Sequence, residues 1–213
     1  MFTMAPKAIL FDWDNTIVNT WPLIHGGMRA VFEKRGLTPW TLQEVKDRCH
    51  ESGREAFPKL FPHDWQAALD DFYEYVHDRH LEELAVLPSA TDLLKNLAAH
   101  SIPIALVSNK TKPLLVKEVE YLGLSDIFGV VLGAGDAARD KPDAAPLLLA
   151  LDQLSVQPSI DVWMIGDTPA DWTAARSAGV RAIGVGAMHM PLAGSAPDVM
   201  FFDLESFRFS LSF

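Results

Sequence analysis

The sequence predicts an α/β fold, in which a parallel sheet with helices on both faces is interrupted after its first strand by an all-helical insertion. Apolar runs of strand length occur at residues 7–11, 104–107, 130–132, 162–165 and 181–185, with helical patterns between them. Strands that alternate with helices form parallel sheets, because each connecting helix packs back against the sheet. Between about residues 17 and 84 the sequence contains no strand-like run, which indicates the insertion.

The composition favours a folded protein that acts on small molecules. Of the 213 residues 49% are hydrophobic and 22% are charged, which is ordinary for a globular chain. The net charge of −10 and the lack of clustered Lys and Arg argue against nucleic-acid binding. Cys49 is the only cysteine, so an internal disulfide and a thiolate metal cage are excluded. Because no segment approaches the roughly 20 apolar residues of a membrane helix, we expect a cytoplasmic protein without membrane contact.

Boundary signals support the helices between the strands. Ser89 with Asp92 three residues later is typical of a capping box, and Gly123 and Gly179 each follow a helical run. These residues predict where helices of the core begin and end.

The insertion shows signals for three helices. Pro22 suits a first turn, Gly36 a terminus, and Thr41 with Glu44 a capping box. The third helical stretch carries an apolar stripe, which indicates packing rather than a cofactor site: Trp65, Leu69, Phe72, Tyr73, Val76 and His80.

These patterns predict two domains. We expect an α/β core of residues 1–16 and 85–213 and a helical cap of residues 17–84. An insertion directly after the first strand would lie over the carboxyl ends of the strands, where open α/β sheets bind ligands. The cap is therefore expected to act as a lid that excludes water and selects substrates.

The first chemical motif is the segment Asp12-Trp13-Asp14-Asn15-Thr16, which directly follows the first strand. Alternate spacing can aim both carboxylates at one site. One ionised Asp can attack phosphorus while the other protonates the leaving oxygen and later deprotonates water. Taken alone, the segment is also compatible with an ordinary turn, since Asp and Asn are common turn residues.

Two further motifs could bind an anion. Ser108 and Asn109 end the second core strand, where a hydroxyl and successive amides could hold phosphate oxygens. Lys141, before Pro142, could supply a positive charge at the start of a helical stretch. Taken singly, these residues are more typical of a helix-entry loop and of a solvated lysine.

The fourth motif follows the apolar run that ends at residue 165. Gly166 allows a close backbone approach, and the carboxylates of Asp167 and Asp171 could reach one hard cation. The alternative is a helix of residues 172–177 that begins at Asp171 as its cap. Each motif lies at or beside the carboxyl end of a predicted strand, so a single site could use all four.

In combination the motifs resemble those of the haloacid dehalogenase superfamily of phosphatases, which run Asp-x-Asp-x-Thr, Ser or Thr, Lys, and Gly-Asp-x-x-x-Asp. The resemblance covers essentially the whole chain and implies a Rossmann-like core with a cap of the class inserted after the first motif. The segments at residues 108–110, 135–136, 141–147 and 166–179 resemble those of phosphoglycolate phosphatases.

The resemblance also implies residue roles. Asp12 would be the nucleophile and Asp14 the acid/base, while Ser108, Asn109 and Lys141 would hold the phosphoryl group.

A Mg²⁺ ion would be bound by Asp12, by the main-chain carbonyl of Asp14, and by Asp167 with help from Asp171. Carboxylates, waters and a substrate phosphate together suit the six oxygens that Mg²⁺ prefers.

Two residues depart from the family pattern, and one is a candidate for substrate recognition. Trp13 and Asn15 stand where Leu and Gly are usual, although Asn tolerates a left-handed turn. Trp13 could narrow the pocket or pack beneath the lid. Arg54, read as lying between two cap helices, is the candidate for contacting a substrate anion.

The predicted function is a Mg²⁺-dependent phosphatase for a small phosphorylated metabolite, with 2-phosphoglycolate as one candidate and a monomer or homodimer as the assembly. A sugar-phosphate mutase would use the same two aspartates. A dehalogenase would not need Asp14, Asp167 and Asp171. A phospho-receiver domain also binds Mg²⁺ but has no inserted cap.

Overall fold

The computed structural model describes residues 4–49, 53–186 and 196–212. Within it the chain forms two compact units. One contains the chain up to Val18 and from Val86 onward, and the other is Asn19–Ala85. The first is called the core unit and the second the helical unit.

A parallel sheet organises the core unit. The strands in the described part of the chain are β1 (Ala8–Phe11), β2 (Val18–Asn19), β3 (Ala85–Val86), β4 (Ile104–Thr111), β5 (Val130–Ala134), β6 (Val162–Gly166), β7 (Arg181–Val185) and β8 (Val199–Phe201). Six of them form a sheet in the order β5-β4-β1-β6-β7-β8, and every neighbouring pair is parallel. The short strands β2 and β3 pair separately.

All five predicted strands are present, and the predicted α/β class is confirmed. The four residues of β1 are completely buried, because a central parallel strand has helices on both of its faces. Strands β2, β3 and β8 were not predicted, and β2 lies within the segment that was expected to contain no strand. Their two or three residues are too few to give a periodic signal.

Helices cover both faces of the sheet. In the core unit they are α5 (Ala90–Ala99), α6 (Lys112–Tyr121), α7 (Ala145–Gln153), α8 (Pro169–Ala178) and α9 (Leu204–Ser210). Leu147 of α7 and Trp172 of α8 share one hydrophobic cluster with Leu10 of β1. The connection from β4 to β5 runs along the sheet in the direction opposite to the connection from β6 to β7. Because connections between parallel strands are right-handed, α6 lies on the face of the sheet opposite to α8.

Predictions about the start of three helices need correction, one in its capping and two in position. Helix α5 begins after Ser89 as expected, but Ser89 has a left-handed backbone and makes no capping hydrogen bond. Helix α8 begins at Pro169, so Asp171 lies in its first turn instead of before it. Helix α7 begins at Ala145, so Lys141 belongs to the preceding loop. The predicted ends at Gly123 and Gly179 are both present with positive φ.

The helical unit contains four helices in its described part, where three were predicted: α1 (Trp21–Lys34), α2 (Leu42–Arg48), α3 (Gly53–Leu60) and α4 (Trp65–Arg79). The Thr41–Glu44 capping box is present at α2. Gly27 allows α1 and α4 to approach closely, since a Cβ there would lie 2.8 Å from the Phe72 ring. Helix α3 was missed because it is short and contains Pro58.

In the described part of the chain, no helix combines the length and the apolar character needed to cross a membrane.

Candidate active site

Three neighbouring strands end at one place in the core unit. Strands β4 and β6 pair with β1 on its two sides, and Asp12 and Asp167 directly follow β1 and β6. Strand β4 runs on to Thr111 instead of ending at the predicted residue 107, so Ser108 lies within it, where its register with β5 shifts. The connections from these strands run to opposite sides of the sheet, and such a switch point leaves a crevice at the carboxyl ends. The site is therefore built on three adjacent inner strands of the sheet.

A tight turn after β1 positions the first motif. The carbonyl of Trp13 accepts hydrogen bonds from the amides of Thr16, Ile17 and Val18 at 3.3, 2.9 and 3.2 Å. Asn15 has a φ of 60°, so it takes the left-handed conformation that its tolerance predicted. The Thr16 hydroxyl donates to Asp167 Oδ1 at 3.5 Å, which links the first and fourth motifs.

Lys141 is buried among acidic and carbonyl oxygens. Its ammonium donates to Asp12 Oδ1 at 2.6 Å, to Asp171 Oδ1 at 2.7 Å and to the Val107 carbonyl at 2.6 Å, so all three protons are used. Burial opposes the charged form, but the charges of Asp12 and Asp171 outweigh it and raise the pKa of Lys141. The residue is therefore a fixed cation at neutral pH.

Asn109 holds the main chain of Lys141. Its side-chain amide donates to the Lys141 carbonyl at 2.8 Å and accepts from the Lys141 amide at 3.0 Å. The side chain of Asn109 therefore positions Lys141, and its predicted binding of phosphate stays a prediction. Ser108 is buried, and its Oγ accepts from the Lys110 amide at 3.1 Å, which leaves the hydroxyl proton able to bind an anion.

Three carboxylates form an acidic cluster. One oxygen each from Asp12, Asp167 and Asp171 lies within 4.8 Å of the others, and all three residues are buried. Burial raises the pKa of Asp12 to about 7, with further contributions from the charges of Asp171 and Asp14 and opposition from Lys141. Burial and the charges of Asp12 and Asp171 also raise the pKa of Asp167 well above its ordinary value.

The cluster fits a divalent metal ion. Its negative charges repel one another, and the single charge of Lys141 does not balance them, as the raised pKa values of Asp12 and Asp167 indicate. A cation would relieve this repulsion, and carboxylate oxygens are the ligands that hard divalent cations prefer.

The two aspartates of the fourth motif differ in their hydrogen bonding. Asp171 accepts from Lys141 with Oδ1, while its Oδ2 accepts from the Thr168 amide at 3.1 Å and hydroxyl at 2.7 Å. Both oxygens of Asp171 thus accept hydrogen bonds. Asp171 therefore contributes negative charge and orients Lys141, rather than offering a free oxygen to a metal ion. Gly166 makes this possible, because a Cβ there would lie 2.3 Å from Asp171 Cγ.

A family model described as "Haloacid dehalogenase-like hydrolase" matches residues 9–185. The chain belongs to this family. The match spans β1 to β7 and therefore includes every residue of the acidic cluster.

Curated relatives support the assignment, and a solved structure shares the fold. The chain is 32% identical to the phosphoglycolate phosphatase of Chromobacterium violaceum over 189 residues, which cover 84% of this chain and 85% of that protein. It is 29% identical to phosphoglycolate phosphatase 1 of Pseudomonas aeruginosa, with 95% and 79% covered. A predicted phosphoglycolate phosphatase from Haemophilus somnus shares the fold with a TM-score of 0.84 at 22% identity, covering 99% of this chain and 100% of that one.

Arg54 is not part of the described cluster of this hydrolase. It lies exposed within α3 of the helical unit, so the predicted position in a loop between two helices is wrong. Its proposed contact with a substrate anion stays a prediction.

A buried polar network beside Asp14 was not predicted. Lys110 Nζ lies 2.7 Å from Asp14 Oδ1 and donates to both oxygens of Glu118, and Trp13 Nε1 also donates to Glu118. Trp13 is completely buried and contacts Phe128 edge-on at a centroid distance of 6.4 Å. A lysine at position 110 and a glutamate eight residues later give no periodic signal that would have linked them to Asp14.

Proposed function

We propose that this hydrolase is a Mg²⁺-dependent phosphatase that cleaves a small phosphomonoester through an aspartyl-phosphate on Asp12. The observation that supports this most directly is the position of the Asp12 carboxylate. It lies 2.6 Å from the Lys141 ammonium and belongs to the acidic cluster with Asp167 and Asp171. A nucleophile in this position lies beside the proposed Mg²⁺ site and beside the Lys141 ammonium, and both positive charges would stabilise a bound phosphoryl group.

The reaction proceeds in two transfers. Asp12 attacks phosphorus, the bond from phosphorus to the ester oxygen breaks, and Asp14 gives its proton to the leaving oxygen. Asp14 then takes a proton from the attacking water as the bond between phosphorus and the Asp12 oxygen breaks. Phosphate leaves and both carboxyl groups return to their starting states.

Other residues of the chain hold the reactants. Lys141 neutralises negative charge on the phosphoryl oxygens, and the Ser108 hydroxyl donates to one of them. Asp12, Asp167 and the Asp14 carbonyl would hold Mg²⁺, with Asp171 fixing Lys141 behind them. When bound, the ion supplies Lewis-acid stabilisation of the phosphoryl charge and favours the ionised form of Asp12.

Lys141→Met is expected to lower kcat for phosphate release by on the order of 10²- to 10³-fold, the usual effect of removing one group that stabilises transition-state charge. The metal-free variant should also unfold at a lower temperature, because Asp12 and Asp171 lose their buried ionic partner. Steady-state kinetics and thermal unfolding check both effects. Lys7→Met, which removes an exposed ion pair with Asp161, is the control and should leave both values unchanged. Activity of Lys141→Met within threefold of wild type would contradict the proposed role.

The substrate is proposed to be a small anionic phosphomonoester, with 2-phosphoglycolate as the first candidate because several relatives carry the name phosphoglycolate phosphatase. Phosphate release should be measured with 2-phosphoglycolate, sugar phosphates and an aryl phosphate, with Mg²⁺ and with a chelator. We expect Mg²⁺-dependent release and a preference, in kcat/KM, for a small carboxylated ester. Isomerisation of a sugar phosphate without net phosphate release would instead indicate a mutase.

A further inference from the structure

Asp14 adjoins three residues, Lys110, Glu118 and Trp13, that the reaction above does not use. Lys110 Nζ lies 2.7 Å from Asp14 Oδ1 and donates to Glu118 Oε1 at 2.9 Å and Oε2 at 2.6 Å. Trp13 Nε1 donates to Glu118 Oε2 at 2.6 Å. Glu118 on α6 is completely buried. These four residues, all in the core unit, are called the Trp13–Glu118 network below.

The hydrogen bonds and burial of Glu118 and Lys110 indicate that Lys110 is held in a fixed position beside Asp14. A buried carboxylate is costly unless it is paired and hydrogen-bonded, and Glu118 receives both an ammonium and an indole donor. The Lys110 side chain is only 9% exposed, so its ammonium cannot relax into water. Besides Glu118, the ammonium contacts Asp14. The side chain of Asp14 is 27% exposed, so a ligand can reach it.

Trp13 supplies a second donor to Glu118. At the same position the usual leucine of the first motif has no donor, whereas the indole satisfies one oxygen of Glu118. The departure at Trp13 and the buried Glu118 are thus two parts of one arrangement. They lie 105 residues apart along the chain.

We infer that Lys110 is a positioning residue for Asp14, and that Glu118 and Trp13 hold Lys110 in place. The ammonium forms an ion pair with Asp14 Oδ1, and this attraction restricts the rotation of the carboxyl group and leaves the other oxygen for proton transfer. This inference rests on the proposed function, because it assigns the support of the acid/base in that reaction.

The two half-reactions separate a positioning role from a general structural one. The leaving group of 4-nitrophenyl phosphate departs without protonation, so the phosphorylation of Asp12 hardly needs Asp14. Hydrolysis of the aspartyl-phosphate still needs Asp14 as the base that deprotonates water. Mispositioning of Asp14 therefore slows the second step selectively.

The test is rapid-mixing kinetics of Lys110→Met with 4-nitrophenyl phosphate and Mg²⁺. We expect a burst that approaches one 4-nitrophenolate per enzyme, with a rate within a few fold of the first turnover of wild type. The steady-state rate should then be lower by about 10²-fold, the usual contribution of a general base. Asp14→Asn should show the same burst, and Lys7→Met should behave as wild type.

The double variant Lys110→Met with Glu118→Gln guards against misfolding. It removes both buried charges and keeps an acceptor for the Trp13 indole, so it should fold if the single variant does not. We expect the same burst from it. If Asp14→Asn shows the burst while the folded Lys110 variants match wild type, or lose both phases equally, the inference is overturned and the proposed function stands. If Asp14→Asn itself matches wild type, the proposed function fails.

Discussion

Replacement of Asp12 by Asn is expected to lower Mg²⁺-dependent phosphate release by on the order of 10⁴-fold or more, as removal of a covalent nucleophile does in other enzymes. The amide has nearly the same shape but cannot attack phosphorus. The fold should persist, because Lys141 keeps its hydrogen bonds to Asp171 and to the Val107 carbonyl. The measurement is inorganic phosphate release from an aryl phosphate at saturating Mg²⁺.

The control for this variant is Asp161→Asn, which removes an exposed carboxylate from an ion pair with Lys7 at the other end of β1. It should retain full activity. Mass spectrometry of acid-quenched enzyme adds a second readout: wild type should carry a transient phosphoryl group, and Asp12→Asn should not. Activity of Asp12→Asn within tenfold of wild type would contradict the nucleophile assignment.

The fold was predictable where the sequence repeats a physical pattern. Strand β1 is central in a parallel sheet, so both faces are apolar and the run at residues 8–11 stands out against the acidic motif that follows. Strand β8 and helix α3 carry no comparable pattern, since one has three residues and the other has a proline inside. The start of α5 after Ser89 was predicted, but its capping hydrogen bond was not formed, because the left-handed backbone of Ser89 overrides the preference of the residue type.

The site was predictable to the extent that strand ends converge. The carboxyl ends of neighbouring parallel strands meet at one edge, so residues that follow β1 and β6 were expected together, and Asp12 and Asp167 lie in one cluster. No comparable rule predicts from the sequence which side chains of different loops form hydrogen bonds. The clamp of Asn109 on Lys141 and the ion pair of Lys110 with Asp14 depend on side-chain geometry that spacing does not encode.

Asp167→Asn should abolish the effect of Mg²⁺ on both activity and stability. The residue offers a carboxylate oxygen to the acidic cluster, and its loss should weaken Mg²⁺ binding by at least about 100-fold, the upper range seen for residues that only support metal ligands. Without metal, however, the variant should unfold at a higher temperature than wild type. The cause is the removal of a buried negative charge that repels Asp12 and Asp171.

The pH dependence of this stabilisation has a definite sign. The pKa of Asp167 in the folded protein lies well above the ordinary value of 3.8 that applies when the chain is unfolded, so the folded state binds its proton more tightly. The contribution of Asp167 to stability therefore falls as pH rises above 3.8, and the full penalty is reached above the folded pKa. In a chelator, the difference in Tm between Asp167→Asn and wild type should be near zero at about pH 4 and should grow as the pH is raised. Addition of Mg²⁺ at pH 8 should reverse the order by stabilising wild type alone. Two outcomes would contradict this prediction: Asp167→Asn less stable than wild type in chelator at pH 8, or Asp167→Asn still stabilised by Mg²⁺. The first would show that Asp167 is not repelled by Asp12 and Asp171, and the second that it is not needed to bind Mg²⁺.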